Sequence, residues 1–360
     1  MHSKKMEIKV IFIIIALFFM IFLFSPLIVL FKNSVNSYIP LLHNKEIYIA
    51  TRNSIGVCAI AAIITTILAF VLAYAVNCTN IFKPVNTIIR VGISIPMLIP
   101  TITYGFAIIY SFGKQGFLTK LFGRQLFEIY GFNGLLLGYV IYTIPFAFLL
   151  INNSFGYIDK KFIIVSKLMG DDFLKSFVST IIRPLIGTLG GALVLTFILS
   201  FTDFGIPASI GGNYNVISTM LYQVMLGSIP DFNNGSAIAM IMLFPAIVGI
   251  VFLTFLEKFN FHYDRFTNTL LVKNKFRDIS FAIISIILIG AIVSVFLVMF
   301  IAPFVINYPY DMRFTTKFLL QIFSISETRE VYINSLFVSA LTAIFGVLIS
   351  YTCALKIGRA

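Results

Sequence analysis

The chain has 360 residues, 59% of them hydrophobic and 11% charged, with 26 Lys and Arg against 14 Asp and Glu for a formal charge of +12. A soluble domain carries roughly 25% charged residues, so a water-exposed globule, a disordered chain and a disulfide scaffold are excluded, and an integral membrane protein remains. The basic excess is read as loops held at the cytoplasmic face, not as nucleic-acid binding, because no basic helix or basic-aromatic module is present.

In chain order, the basic start MHSKKMEIK is followed by an uncharged run at 10–31. That run is too long for the apolar core of a signal peptide and has no small-residue cleavage site, so it is read as a retained first span. Further apolar runs lie near 54–76, 91–111, 132–152, 185–205, 236–256, 280–304 and 333–355, which makes eight. Lipid leaves open backbone groups unsatisfied, so runs of this length predict helices. With the N-terminus placed in the cytoplasm, 17 of the 26 Lys and Arg fall in inner loops and nine in outer ones. This predicts an N-in topology. Pro96 and Pro100 interrupt the third run, Pro145 the fourth and Pro245 the sixth. Cys58, Cys78 and Cys353 form no CxxC pair, and His2, His43 and His262 are scattered, so no metal site is expected.

The cytoplasmic loop 153–184 shows helical periodicity on both sides of Gly170. Phe162, Val165, Leu168 and Met169 fall on one face, and Phe173, Phe177 and Ile181 follow at i+4 steps. Gly170 supplies a permissive turn, and Asp171 and Asp172 are placed to cap the second helix. An apolar stripe in a basic loop fits either a helix on the inner leaflet or a docking element for a cytoplasmic protein.

Past the fifth run, Asp203 is the one acid not assigned to a loop. It fits either a cap on the next helix or a residue lining a polar pathway. The loop 206–235 has no Lys or Arg, and Pro207 and Gly211-Gly212 preclude one clean helix there. Its Asn213, Asn215 and Gln223 are neutral hydrogen-bonding groups, and it is expected to fold partly back toward the pathway.

The chain also repeats itself. At a constant offset of 281 residues, Asn53, Ser54, Val57, Ala59, Ala62, Ile63 and Ala73 recur as Asn334, Ser335, Val338, Ala340, Ala343, Ile344 and Ala354. This predicts a duplicated unit. The expected organisation is a first helix and outer loop at 1–50, a core at 51–257, a cytoplasmic linker at 258–279 and the start of a second unit at 280–360.

The loop around Gly170 resembles the coupling loop of binding-protein-dependent ABC importer permeases. Their pattern is Glu-Ala-Ala, three residues, Gly, nine residues, Ile-x-Leu-Pro. Ile164, Val165 and Ser166 fall on the first three positions, and Gly170 takes the glycine. Thr180, Ile182 and Arg183 fall on the Ile and the Leu-Pro, with Pro184 one place late. The glutamate and the Leu-Pro are absent. The stretch FTDFGIPASIGGNYNVISTMLYQVMLG at 201–227 is similar to permeases for 2-aminoethylphosphonate and, more loosely, iron(III).

The resemblance implies an all-α membrane protein with the type I importer permease fold, its second unit incomplete, in a bacterial plasma membrane. It also implies that Val165, Ser166, Lys167, Leu168, Met169, Gly170, Asp171, Asp172, Phe173 and Phe177 couple to a cytoplasmic ABC ATPase dimer. Asp203, Gly205, Asn213 and Asn215 would belong to the translocation pathway. An extracytoplasmic substrate-binding protein and a second permease unit or chain are the other implied partners, beside membrane lipid. ATP would be bound by the ATPase alone, since this chain has no P-loop, and no cofactor and no enzymatic activity are expected. A fused permease of this kind needs further spans, so activity is expected to require them from another polypeptide. The rival reading is a secondary transporter driven by an ion gradient. It calls for intramembrane acids, of which Asp203 is the candidate.

Overall fold

The computed structural model describes residues 12–158, 161–258 and 274–357. The basic N-terminal segment and most of the expected linker at 258–279 lie outside them. Two compact units divide the chain: Ile39–Phe300 forms one, and the residues before and after it form the other. Among the described residues seven helices are long and apolar enough to cross a membrane.

In the Ile39–Phe300 unit the central helix is α3, Lys45–Cys78, which follows α2 at Tyr38–Leu42. Asn44 begins α3 by accepting a hydrogen bond from the Glu46 N–H at 2.9 Å. Its buried face is built of small residues, among them Ala61, Ala62, Ala69 and Ala73. Small residues let neighbouring backbones approach closely where lipid removes any hydrophobic drive between helices. α7, Phe132–Phe155, lies against that face. The Thr65 and Thr143 hydroxyls meet at 3.0 Å, and Asn77 Nδ2 donates to Asn152 Oδ1 at 2.9 Å. Both sequence numbers rise together between these contacts, so α3 and α7 run parallel.

Two parallel neighbours require the chain between them to cross back. The apolar run at 91–111 does this, but not as the single helix expected. α4, Lys83–Ser94, and α5, Thr101–Phe112, are separated by a 3-10 turn at Pro96–Leu98. The segments Lys83–Leu98 and Thr101–Phe122, the latter including α6 at Phe117–Phe122, meet at 110°. The reason is local. A continued helix would need the Pro96 carbonyl to accept from residue 100, and Pro100 has no N–H. Ile99, before that proline, is extended, as residues preceding proline tend to be. The Pro96 carbonyl instead accepts the Ile99 N–H at 3.0 Å, closing the 3-10 turn, and the buried Tyr104 hydroxyl at 2.6 Å.

α8, Lys161–Leu168, and α9, Phe173–Thr202, follow. A π-turn at Val178–Ile182 interrupts α9, and Thr188 on α9 donates to the Ser154 hydroxyl on α7 at 3.0 Å. α10, Gly205–Ile210, and α11, Ile217–Leu226, are short. α12, Phe232–Glu257, is capped by Asp231, which accepts from the N–H groups of Asn233 and Asn234 at 3.1 and 3.0 Å. α13, Lys275–Ile301, covers the first apolar run of the expected second unit. It packs instead within the Ile39–Phe300 unit, with Phe281 on Tyr74 of α3 (4.9 Å between ring centres) and Phe296 on Tyr104 of α5 (4.9 Å).

The other unit holds α1, Phe12–Ser34, a two-stranded antiparallel hairpin of β1, Val305–Asn307, and β2, Asp311–Phe314, then α14, Lys317–Ser324, and α15, Ser326–Ile357. α1 and α15 both have the length and composition of spans, and their described side chains are largely exposed.

Candidate functional site

Two sets of expected residues occupy opposite ends of α9. At its start, α8 and α9 form an elbow. Gly170 sits at φ +79°, in the left-handed region that disfavours a side chain. The Met169 N–H donates to the Val165 carbonyl at 2.9 Å, closing α8, and the Asp171 N–H donates to the Ser166 carbonyl at 3.1 Å. The Asp171 carboxylate ties both helices together: it accepts from the Ser166 hydroxyl at 2.8 Å and pairs with Lys175 at 2.7 Å. Those two donors hold its carboxyl below the usual carboxylate range. Asp172 occupies the cap position of α9, yet its side chain makes no capping bond. The expected pair of capping acids is thus divided, with Asp171 bracing the elbow and Asp172 leading into the helix through its backbone.

The elbow presents an apolar face. Leu168 is 82% exposed, Met169 78% and Phe173 70%, with Val165 and Leu174 also exposed. Ser166 is buried, and Lys167 lies on α8 with its side chain outside the described residues. Phe177, half-buried, stacks on Phe173 at 6.3 Å from beneath this face. It packs inward, edge-on to Phe70 at 6.2 Å and Tyr74 at 5.8 Å, and Ile181 is buried beyond it. The i+4 stripe therefore leaves the surface after Phe173, as α9 enters the bundle. Behind the elbow is a cavity of about 220 Å³ lined by Ile158, Phe162, Val165, Ser166, Thr180 and Pro184.

At the far end of α9, Asp203 is 8% exposed. Its Oδ2 accepts from the Ile206 N–H at 2.9 Å, and the Gly205 N–H and Thr101 hydroxyl also bond its carboxylate. Of the two sequence readings, the capping one is realised here, at the start of α10. Gly205 packs against Thr101 and the backbone of Ile102, and Gly105 against the Ser209 side chain, so α5 and α10 meet with almost no side chain between them. The loop 206–235 forms two short helices broken at Gly211-Gly212, and it folds back so that the Gly131 N–H reaches the Ile210 carbonyl at 2.9 Å. Asn213 and Asn215 are exposed. The Asn215 carbonyl accepts from Asn53 Nδ2 at 3.1 Å, and the Ile217 N–H donates to Ser54 Oγ at 2.8 Å. The structure thus joins Asp203 and Gly205 to Thr101 and joins Asn215 to Asn53, while Asn213 stands apart. Thr101, Ser54 and Leu174 join these contacts or the elbow face beyond the residues expected from the sequence. The polar Asn-Ser pair opening an apolar run was the signal for Ser54. Thr101 follows a helix-breaking proline, where a polar first-turn residue commonly serves a backbone end.

Seven apolar helices of spanning length and a broken one, among the described residues, define a multi-pass membrane protein. A family model described as "Binding-protein-dependent transport system inner membrane component" matches residues 66–269. The chain belongs to this family. The ferric transport system permease protein FbpB of Actinobacillus pleuropneumoniae is 25% identical over 205 residues, 55% of this chain and 30% of that protein. A putative ferric transport system permease protein FbpB 1 of Haemophilus influenzae is 24% identical over 205 residues, 55% and 32%. The chain thus spans less than a third of the length of these two curated relatives. A probable sulfate transport system permease protein cysT of Helicosporidium is 25% identical over 248 residues, 67% of this chain and 91% of that one. The crystal structure of a bacterial alginate ABC transporter, in complex with an alginate pentasaccharide-bound periplasmic protein, shares the fold: TM-score 0.55 and 13% identity over 71% of this chain and 94% of that one.

Proposed function

We propose that this chain forms part of the membrane pathway of an ATP-driven importer, with the elbow at Gly170 as the seat of a cytoplasmic ATPase dimer. The observation that carries this reading is the elbow itself: Leu168, Met169 and Phe173 are held out as an apolar face by the Asp171 brace. α9 runs 30 residues from that face to Asp203. A displacement of the elbow when the ATPases close on ATP is therefore delivered along one helix to the α5–α10 contact. In this reading Asp203 and Gly205 position the pathway segment, and Asn213 and Asn215 offer it neutral hydrogen-bonding groups. Lys167, Asp172 and Phe177 complete the coupling region, Phe177 from the inner side. The positive-inside count supports a cytoplasmic N-terminus.

The domain organisation is proposed as expected from the repeat, with a core at 51–257, a linker at 258–279 and the start of a second unit at 280–360, in which α15 repeats α3. Ser54, Val57, Cys58, Ala61 and Ala62 are buried on α3. Their counterparts on α15, Ser335, Val338, Ser339, Thr342 and Ala343, are also small, Thr342 being larger than Ala61, and all are exposed.

For substrate, the ferric relatives favour iron(III) over 2-aminoethylphosphonate. The described residues gather no three His, Cys, Asp or Glu side chains, so selectivity is assigned to an extracytoplasmic binding protein. The test has two arms. The chain should retain an ABC ATPase on co-purification, and Gly170→Asp and Phe173→Asp should lose it. The cognate binding protein should bind ferric ion and not 2-aminoethylphosphonate. Uptake that ignores ATP depletion and collapses with the ion gradient would refute the ATP-driven reading.

A further inference from the structure

Residues 305–325 join two spans. One helical segment, Lys275–Phe304, carries the chain to one membrane surface, and α15 leaves it from Ser326. Consecutive spans share a surface, so both ends of the joining segment lie on the same side of the membrane. α14 lies within this segment. Its Lys317, Gln321 and Ser324 recur at i, i+4 and i+7 and form one polar stripe. Phe318, Leu319, Ile322 and Phe323 fill the opposite arc, where Phe323 is 62% exposed. An eight-residue helix of about 12 Å cannot cross a bilayer. It is also too short to hold itself in water, since helices under ~12–15 residues are marginal in isolation.

We propose that α14 is an interfacial helix whose occupant is the lipid surface, with its apolar arc in the upper acyl region and Lys317 among the phosphates. Three observations select lipid over a protein partner. α14 is tethered on both sides to spans that meet the same membrane face. α14 carries one cation and no Asp or Glu, which suits phosphate. Its aromatic rings, with the exposed Phe314 stacked on Phe304 at 5.9 Å, match the composition of a membrane-interface anchor. Phe323 also packs edge-on to Tyr332 in α15 at 6.4 Å. The interfacial helix thereby sets the depth at which α15 enters the bilayer.

The chain contains no Trp, so one introduced Trp reports without background. Phe318→Trp, Ile322→Trp and Gln321→Trp are each made in the full chain and reconstituted in phosphatidylcholine–phosphatidylglycerol vesicles. Trp at 318 and 322 should emit to the blue of Trp at 321, lose most of its emission to lipids brominated high in the acyl chain, and resist soluble iodide. Trp at 321 should show the reverse. The two apolar-face variants must agree, which guards against one of them misfolding. Equal quenching of all three by iodide would overturn the proposal. So would apolar-face Trp that resists both iodide and brominated lipid, because protein would then cover that face.

Discussion

Ser54→Ala gives the sharpest test of how the first repeat is latched. Ser54 Oγ accepts the Ile217 N–H at 2.8 Å, and both residues are buried. Alanine fills the site without a clash but leaves that amide at the start of α11 with no acceptor. An unsatisfied buried donor costs about 1–3 kcal/mol, and loss of a helix cap falls within the same range. If the cost is local, the opening equilibrium of the α11 start shifts by roughly 5- to 150-fold. Hydrogen exchange followed by mass spectrometry on the peptide covering 214–222 reads this directly, under conditions where exchange reports the opening equilibrium. The matched control is Ser335→Ala. The Ser335 hydroxyl bonds the Val331 carbonyl one turn back and is exposed, so its removal should leave exchange at 214–222 unchanged. Equal protection of that peptide in Ser54→Ala and in the parent would refute the latch.

Other outcomes follow from contacts described above. Gly105→Ala should lower the melting temperature in detergent, because a Cβ there collides with Ser209 and overpacking costs typically about 1–3 kcal/mol; adding Ser209→Gly should recover most of the loss. Asp203→Asn retains an acceptor for the Ile206 N–H and should stay folded with impaired uptake; Asp203→Leu strands buried donors and should also lose thermal stability, and unchanged uptake by Asp203→Asn would remove that residue from the pathway. Thr65→Val should cost only about 0.6 kcal/mol, as Thr143 keeps its bond to the Tyr139 carbonyl at 2.7 Å, and a large drop in melting temperature would contradict this. The elbow should resist mild acid. The Asp171 carboxyl is depressed in the folded state, so its bracing is complete above an unfolded value of ~3.9 and is lost as pH falls through the folded one. Limited proteolysis at 161–175 should therefore be flat from neutral pH down to about 5, and Asp171→Asn should raise cleavage across that range.

Much of this was legible in the chain. Seven spans, the Gly170 turn with helices on either side and the polar start of α3 can all be read from apolar run length and residue type. What escaped has physical causes. Pro96 and Pro100 marked a weak point, but hydropathy carries no direction, and twenty apolar residues look alike whether straight or bent by 110°. The packing of Phe177 into the bundle was hidden because periodicity names a face, not what covers it, and the π-turn at Val178–Ile182 shifts the register just beyond. The division of labour between Asp171 and Asp172 depended on one φ angle at Gly170 and on a lysine one turn away. Thr101 became visible as a partner of Asp203 only once α5 and α10 were seen to touch.

Asp203 is held without a basic side chain among its bonding partners, and the broken span explains how. α5 and α10 both begin beside its carboxylate, at Thr101 and Gly205. A helix start carries partial positive charge on its open N–H groups, equivalent to about half an elementary charge. Two such ends therefore act together as a distributed counter-ion, rigid and unable to swing away as a lysine could. The carboxylate in turn pins the two half-helices to each other. Drawing them apart would break the bond from the Thr101 hydroxyl or those from the Gly205 and Ile206 N–H groups, so this carboxyl couples the movement of α5 to that of α10.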